Sequence, residues 1–291
     1  MNRRAPTSYS LAASAIPRNF TESARIVMLK QWLRTHVRDP RTDAGPPAPV
    51  PVPATMKIEP AAKLDLKRKY ESWVEHWKAR APHAEAMEMA IGGAFDIIGQ
   101  IELELLQRYG LKPEHYLIDV GCGSGRLARP LSRYLTGRYL GFDLVADLVA
   151  HARQIANRPD WRFETIDHIG IPEKDGQADF VCFFSVLTHL LHEQSYWYLE
   201  EAKRVLKPGG KVAFSFLEFA APGHWATFDS TLIDSKGLDE APLNVFIERS
   251  VIQLWAPKLG FAVEAFVDGT EVVIEPSHGL GLTLCVLSKQ A

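Results

Sequence analysis

The chain has 291 residues, 46% of them hydrophobic and 23% charged, with a net charge of −2. These values are close to the averages for globular domains and carry no global signal for nucleic acid. A domain this long buries about 75% of its unfolded surface without a covalent or metal staple. Three scattered cysteines, Cys122, Cys182 and Cys285, exclude a disulfide framework and a Cys-rich zinc site. A reducing, cytoplasmic setting is expected, and no run of about 20 apolar residues offers a transmembrane helix.

The charge is uneven. Residues 1–60 carry nine Lys/Arg against four Asp/Glu, and the remainder 24 against 31. The first acid is Glu22, so the start reads as a basic leader, disordered or acting as an organelle transit peptide. Within it, Thr21 to Arg38 reads as a helix capped by Thr21. Ile26, Leu29, Leu33 and Val37 fall near one face, and Arg25, Lys30, Arg34 and Arg38 on the other. Self-docking or loose solvation is favoured for it over contact with a membrane surface. Residues 40–60 hold seven of the 19 prolines. Proline fixes φ and removes the donor, which makes this segment an extended, semi-rigid linker.

The next elements are helical: Ala61 to Arg80, then Glu85 to Tyr109, interrupted softly at Gly92-Gly93. Two glycines in a helical pattern point to a close backbone approach or to two separate helices. From Tyr116 strands and helices alternate. Strands are expected at 116–120, 138–142, 161–166, 178–185, 211–217, 261–267 and 280–287. Helices are expected at 125–135, 145–157, 193–206 and 248–259. Repeated βα units imply a parallel sheet with helices on both faces, and the last two strands are placed to run antiparallel.

The most informative segment is Leu117-Ile118-Asp119-Val120-Gly121-Cys122-Gly123-Ser124-Gly125-Arg126. A strand enters three alternate glycines and a helix follows, which suits a ligand at the carboxyl end of the strand. A dinucleotide loop reads G-x-G-x-x-G, but here Arg126 stands at the third-glycine position. Asp119 would repel a pyrophosphate and attract an amino group. The segment resembles motif I of the class I S-adenosylmethionine-dependent methyltransferases, and the resemblance extends over roughly Leu105 to Leu287.

That resemblance implies a fold, a cofactor and a set of residues. The fold is α/β, Rossmann-like and doubly wound, with a mostly parallel seven-stranded sheet and an N-terminal helical cap. The implied organisation is a leader at 1–39, a linker at 40–60, a cap at 61–110 and an S-adenosylmethionine-binding domain at 111–291. Asp119, Gly121, Cys122, Gly123 and Gly125 would hold the methionyl part of the cofactor. Asp143, 22 residues after Gly121, would accept from a ribose diol, a chemistry shared with NAD sites, with Leu144 beside it. Asp167 and His168 match the family's adenine loop, although His168 replaces a small residue. Ser185 begins the loop after the fourth strand, and Lys207-Pro208-Gly209-Gly210 matches the turn before the fifth.

Methyl transfer to a hydroxyl benefits from a base near neutrality. His189 is the first candidate, followed by His192 and His224, with Glu218 on the same rim. Tyr70, Trp73 and Trp77 form either an aromatic lid or core. Asp229, Asp234 and Asn244 lack diagnostic spacing, so no metal is expected. The Asn/Asp-Pro-Pro-Tyr signature of nucleic-acid amino methylation is absent after the fourth strand, and no nucleic-acid partner is expected. The leading function is O-methylation of a sugar or secondary metabolite, with the irregular stretch 219–245 selecting the acceptor. The alternatives are a non-catalytic cofactor-binding module and an NAD-dependent oxidoreductase. The oligomeric state is open.

Overall fold

A computed structural model describes residues 60–92, 94–235, 243–275 and 278–290. The leader, the linker and the helix expected at 21–38 lie outside the described residues.

Seven strands form one sheet: β1 (Leu117–Val120), β2 (Tyr139–Asp143), β3 (Arg162–Thr165), β4 (Ala178–Phe183), β5 (Leu206–Phe216), β6 (Phe261–Val267) and β7 (Thr283–Lys289). Their order is β3-β2-β1-β4-β5-β7-β6. The first five pair in parallel. β7 enters antiparallel between β5 and β6. This is the Rossmann-like arrangement expected, with the late antiparallel pair extending the sheet beyond β5.

The central strands β1, β2 and β4 are buried along nearly their whole length because both faces of the sheet are covered, whereas the edge strand β3 carries Arg162 and Glu164. Successive side chains point to opposite faces. Leu117, Tyr139, Phe180 and Cys182 enter one buried cluster, while Ile118, Leu140, Val181 and Phe183 enter the other.

Among the described residues three helices precede the sheet: α1 (Pro60–Lys78), α2 (His83–Ala90) and α3 (Phe95–Arg108). α3 packs on the first face through Ile101, Leu105 and Leu106, joined by α4 (Ala128–Tyr134) and α5 (Ala146–Ala156). The second face is covered by α6 (His192–Val205) and α8 (Arg249–Leu259). Val74 of α1 and Met87 of α2 meet Val145 and Leu148 in a third cluster. The first two helices therefore rest beside the carboxyl end of β2.

Local differences from the expected elements have local causes. The tract 85–109 is two helices because Gly92 and Ala94 adopt φ of 98° and 47°. The close backbone approach occurs at Gly99, where a Cβ would lie 2.3 Å from the Arg126 carbonyl oxygen; at Gly92 nothing lies within 4 Å. The helix expected from Gly125 starts at Ala128, since Gly125 has φ of 92° and cannot begin it. β5 begins at Leu206, and its pairing with β4 shifts register across the Lys207–Gly210 turn. The irregular stretch 219–245 contains α7 (Trp225–Ser235).

Candidate functional site

The strand β1 ends in a loop whose backbone fixes its own shape. The Gly121 and Cys122 N–H groups donate to the Phe142 carbonyl at 2.8 and 3.0 Å. Gly121 and Gly123 take φ of 67° and 53°, values that favour glycine. A Cβ on Gly121 would lie 2.5 Å from Val186 Cγ2. Gly125 serves the scaffold, because a Cβ there would meet the Ala152 backbone at 2.8 Å. Gly125 does not line the cavity described below and packs between the loop and α5.

Two carboxylates flank this loop. Asp119 is buried and accepts from the Tyr139 hydroxyl at 2.8 Å, with the Cys182 thiol 3.6 Å away. Burial pushes its pKa up to about 7, against the pull of those donors. Asp143 accepts from the Gly123 N–H at 3.0 Å and the Val145 N–H at 3.1 Å. Its pKa is raised by burial, with the backbone N–H groups opposing. Both groups gain from a ligand that supplies positive charge or donors.

Asp167 and His168 follow β3 as exposed side chains, 3.7 Å apart. Ser185 follows β4 with φ of 59°, and its N–H donates to Ser215 Oγ at 2.7 Å. His189 ends the next short turn. Its Nδ1 lies 2.7 Å from the Leu243 carbonyl. A carbonyl only accepts, so Nδ1 carries the proton of the neutral ring and Nε2 keeps the lone pair. Burial lowers the pKa of His189, the Leu243 carbonyl opposing.

The other expected rim groups serve structure. His224 is buried; its Nδ1 lies 3.0 Å from the Glu218 N–H and its Nε2 3.2 Å from the Gly281 carbonyl. With both nitrogens engaged it cannot accept a substrate proton, which corrects its assignment as a base. Glu218 is held by Arg249 at 2.8 Å and by the Thr283 hydroxyl at 2.6 Å. His192 meets the Phe246 carbonyl at 3.0 Å. Asp229 is exposed, and Asn244 donates to Thr231 Oγ1 at 2.8 Å.

One cavity of about 780 Å³ runs along the carboxyl edge of the sheet. It is lined by Asp119, Gly121, Cys122, Gly123, Asp143 and Leu144, and further along by Asp167, His168, Ser185 and His189. Tyr70 and Trp73 line it from α1, whereas Trp77 does not. The Tyr70 ring meets His189 edge-on at 5.6 Å, and its hydroxyl is buried without a partner.

Sequence reasoning missed Glu102 and the role of Arg126. Glu102 is 1% exposed, lines the cavity and pairs with Arg126 at 2.8 Å. Its pKa is raised by burial, Arg126 opposing. The signal was present: Glu102 interrupts the apolar stripe Ile98, Ile101, Leu105 of α3.

A methyltransferase-domain family matches residues 118–214, which hold the glycine loop, Asp143 and His189. A 2-phytyl-1,4-naphtoquinone methyltransferase from Nostoc sp. is 33% identical over 134 residues, 43% of this chain and 57% of that protein. A ubiquinone biosynthesis O-methyltransferase from Escherichia coli is 33% identical over 104 residues, 35% of this chain and 42% of that protein. Over residues 118–214 the chain is a methyltransferase domain, similar to the class I S-adenosylmethionine-dependent methyltransferases. It spans about half the length of the curated relatives it matches. The methyltransferase fold is shared with magnesium protoporphyrin IX methyltransferase from Synechocystis PCC 6803, solved with bound SAH: TM-score 0.50, 19% identity, 66% of this chain and 84% of that one. It is shared also with an S-adenosylmethionine-dependent methyltransferase from Mesorhizobium loti: TM-score 0.53, 15% identity, 66% of this chain and all of that one.

The methyltransferase site fits the cofactor by its own chemistry. A buried carboxylate with a raised pKa suits an ammonium group, which Asp119 offers. Asp143 suits a ribose diol, and the Gly121–Gly123 backbone leaves room for a close ligand.

Proposed function

We propose that this chain catalyses S-adenosylmethionine-dependent O-methylation of a small molecule, of the sugar or secondary-metabolite class. The reading rests on a single cavity that joins Asp119 and Asp143 to His189. The quinone-pathway names of the curated relatives support a small-molecule acceptor. Bound S-adenosylmethionine would supply a methyl group already activated by the positive sulfur. Asp119 and Asp143 orient what they bind, so much of the rate comes from positioning. His189 takes the hydroxyl proton on Nε2, its Nδ1–H being anchored on the Leu243 carbonyl. Tyr70 and Trp73 of α1 line the site from the cap. A reducing setting is proposed as well, since Cys122, Cys182 and Cys285 are free and buried.

Calorimetry with S-adenosylmethionine and with NAD tests this reading. Binding of the first without the second is expected. Tight NAD binding with no S-adenosylmethionine binding would overturn it in favour of an oxidoreductase.

A further inference from the structure

The cavity has two halves. The carboxyl ends of β1, β2 and β3 carry the acids and glycines. The other half lies over the ends of β4 and β5 and the start of β7, and most of its side chains are apolar. Ile98, Phe184, Leu217, Leu280 and Leu282 line it, together with Trp73. Thr188, Gln194, Thr227 and Asn244 add polar side chains to it. Asn244 donates to Thr231, Glu102 is paired with Arg126, and His189 Nδ1 is spent on Leu243. Among the described residues, no hydrogen bond engages the Tyr70 hydroxyl or His189 Nε2.

A sugar carries a hydroxyl on nearly every carbon. Each one buried without a partner is costly, and walls of Ile, Leu and Phe provide none. A flat apolar ring loses nothing on such walls and gains from aromatic neighbours. We infer that the acceptor is an aromatic ring bearing a phenol-class hydroxyl, seated between Tyr70 and Trp73 of the cap and the apolar ends of β5 and β7, with that hydroxyl at His189 Nε2. This inference rests on the methyltransferase reading above.

The strength of the base agrees with the walls. Burial holds His189 below the ordinary imidazole range. Such a weak base removes a proton from a phenol, with a pKa of about 10, far more readily than from an aliphatic hydroxyl near water's value of about 16. In the step, the phenol proton passes to His189 Nε2 and the new O–CH₃ bond forms as the S–CH₃ bond breaks. The electron pair of the broken bond stays on sulfur, leaving a neutral thioether.

The test uses the full chain with methyl-labelled S-adenosylmethionine and three acceptor sets: mono- and bicyclic phenols including naphthols and 4-nitrophenol, cyclohexanol, and glucose. At least one phenol should be methylated with kcat/KM about 100-fold above cyclohexanol and glucose. In His189→Ala, the rate on a naphthol should fall about 100-fold. The rate on 4-nitrophenol, which ionises unaided, should fall less than tenfold. Methylation of glucose or cyclohexanol as fast as any phenol overturns the inference, and so does cofactor binding by calorimetry with no phenol methylated. Absence of cofactor binding removes the underlying reading itself.

Discussion

The two halves of the cavity are built in different ways. On the cofactor side, the ligand surface is largely backbone: the Gly121 and Gly123 turns, tied to Phe142 and Asp143 by hydrogen bonds of 2.8–3.0 Å. On the proposed acceptor side it is side chains from segments far apart in the chain, with Tyr70, Ile98, His189, Leu217 and Leu282 lining one cavity. A backbone surface tolerates few sequences, because positive φ and close approach exclude most side chains. A side-chain surface can be repainted residue by residue while the sheet beneath it stays intact. That difference allows one fold to keep its cofactor and change its acceptor.

The sharpest way to break this contrast is to alter the backbone surface. Gly121→Ala forces a Cβ to 2.5 Å from Val186 Cγ2 at a φ of 67°. The loop must shift, and S-adenosylmethionine binding should weaken more than 100-fold by calorimetry. An unchanged Kd would mean that this turn does not meet the ligand. A smaller effect is expected at the ribose position. Asp143→Ala should weaken cofactor binding by about 1–3 kcal/mol, the range for losing a charged acceptor. Acceptor KM should stay within twofold, and equal losses in both would merge the two halves into one unit.

The same contrast explains what could be read from the chain alone. The strands and the mostly parallel sheet follow from apolar runs and alternating elements, and the glycine loop and Asp143 follow from spacing. These features are local or nearly so. His224 and Glu218 were harder to judge, since their partners stand far along the chain. Glu218 meets Arg249 and Thr283, and His224 reaches the Gly281 carbonyl. Only the fold shows that these polar groups are already satisfied. Gly99 carries the same lesson. Its neighbour is the Arg126 carbonyl, 27 residues onward, and no helical pattern announces that contact.

Asp119 offers the finest test, because one carboxyl is both buried in the fold and part of the cavity wall. Its pKa is raised from 3.8 to about 7 by burial. The folded protein therefore holds a proton there that the unfolded chain has already lost between about pH 4 and pH 7. Stability from this group falls as pH rises through that window and is lowest above it. A cation beside the carboxylate favours the ionised form, so cofactor binding should release a proton below pH 7. Between pH 7 and pH 5.5 the S-adenosylmethionine Kd should rise by at most tenfold per unit as pH falls. Asp119→Asn should flatten that slope. It should also raise the Tm of the ligand-free protein at pH 8 by a few degrees, since about 1 kcal/mol corresponds to roughly 2–4 °C in a domain of this size. Calorimetry in buffers of different ionisation enthalpy reads the proton directly. A slope shared by both proteins would assign the effect to another group and leave Asp119 as a structural acceptor for Tyr139.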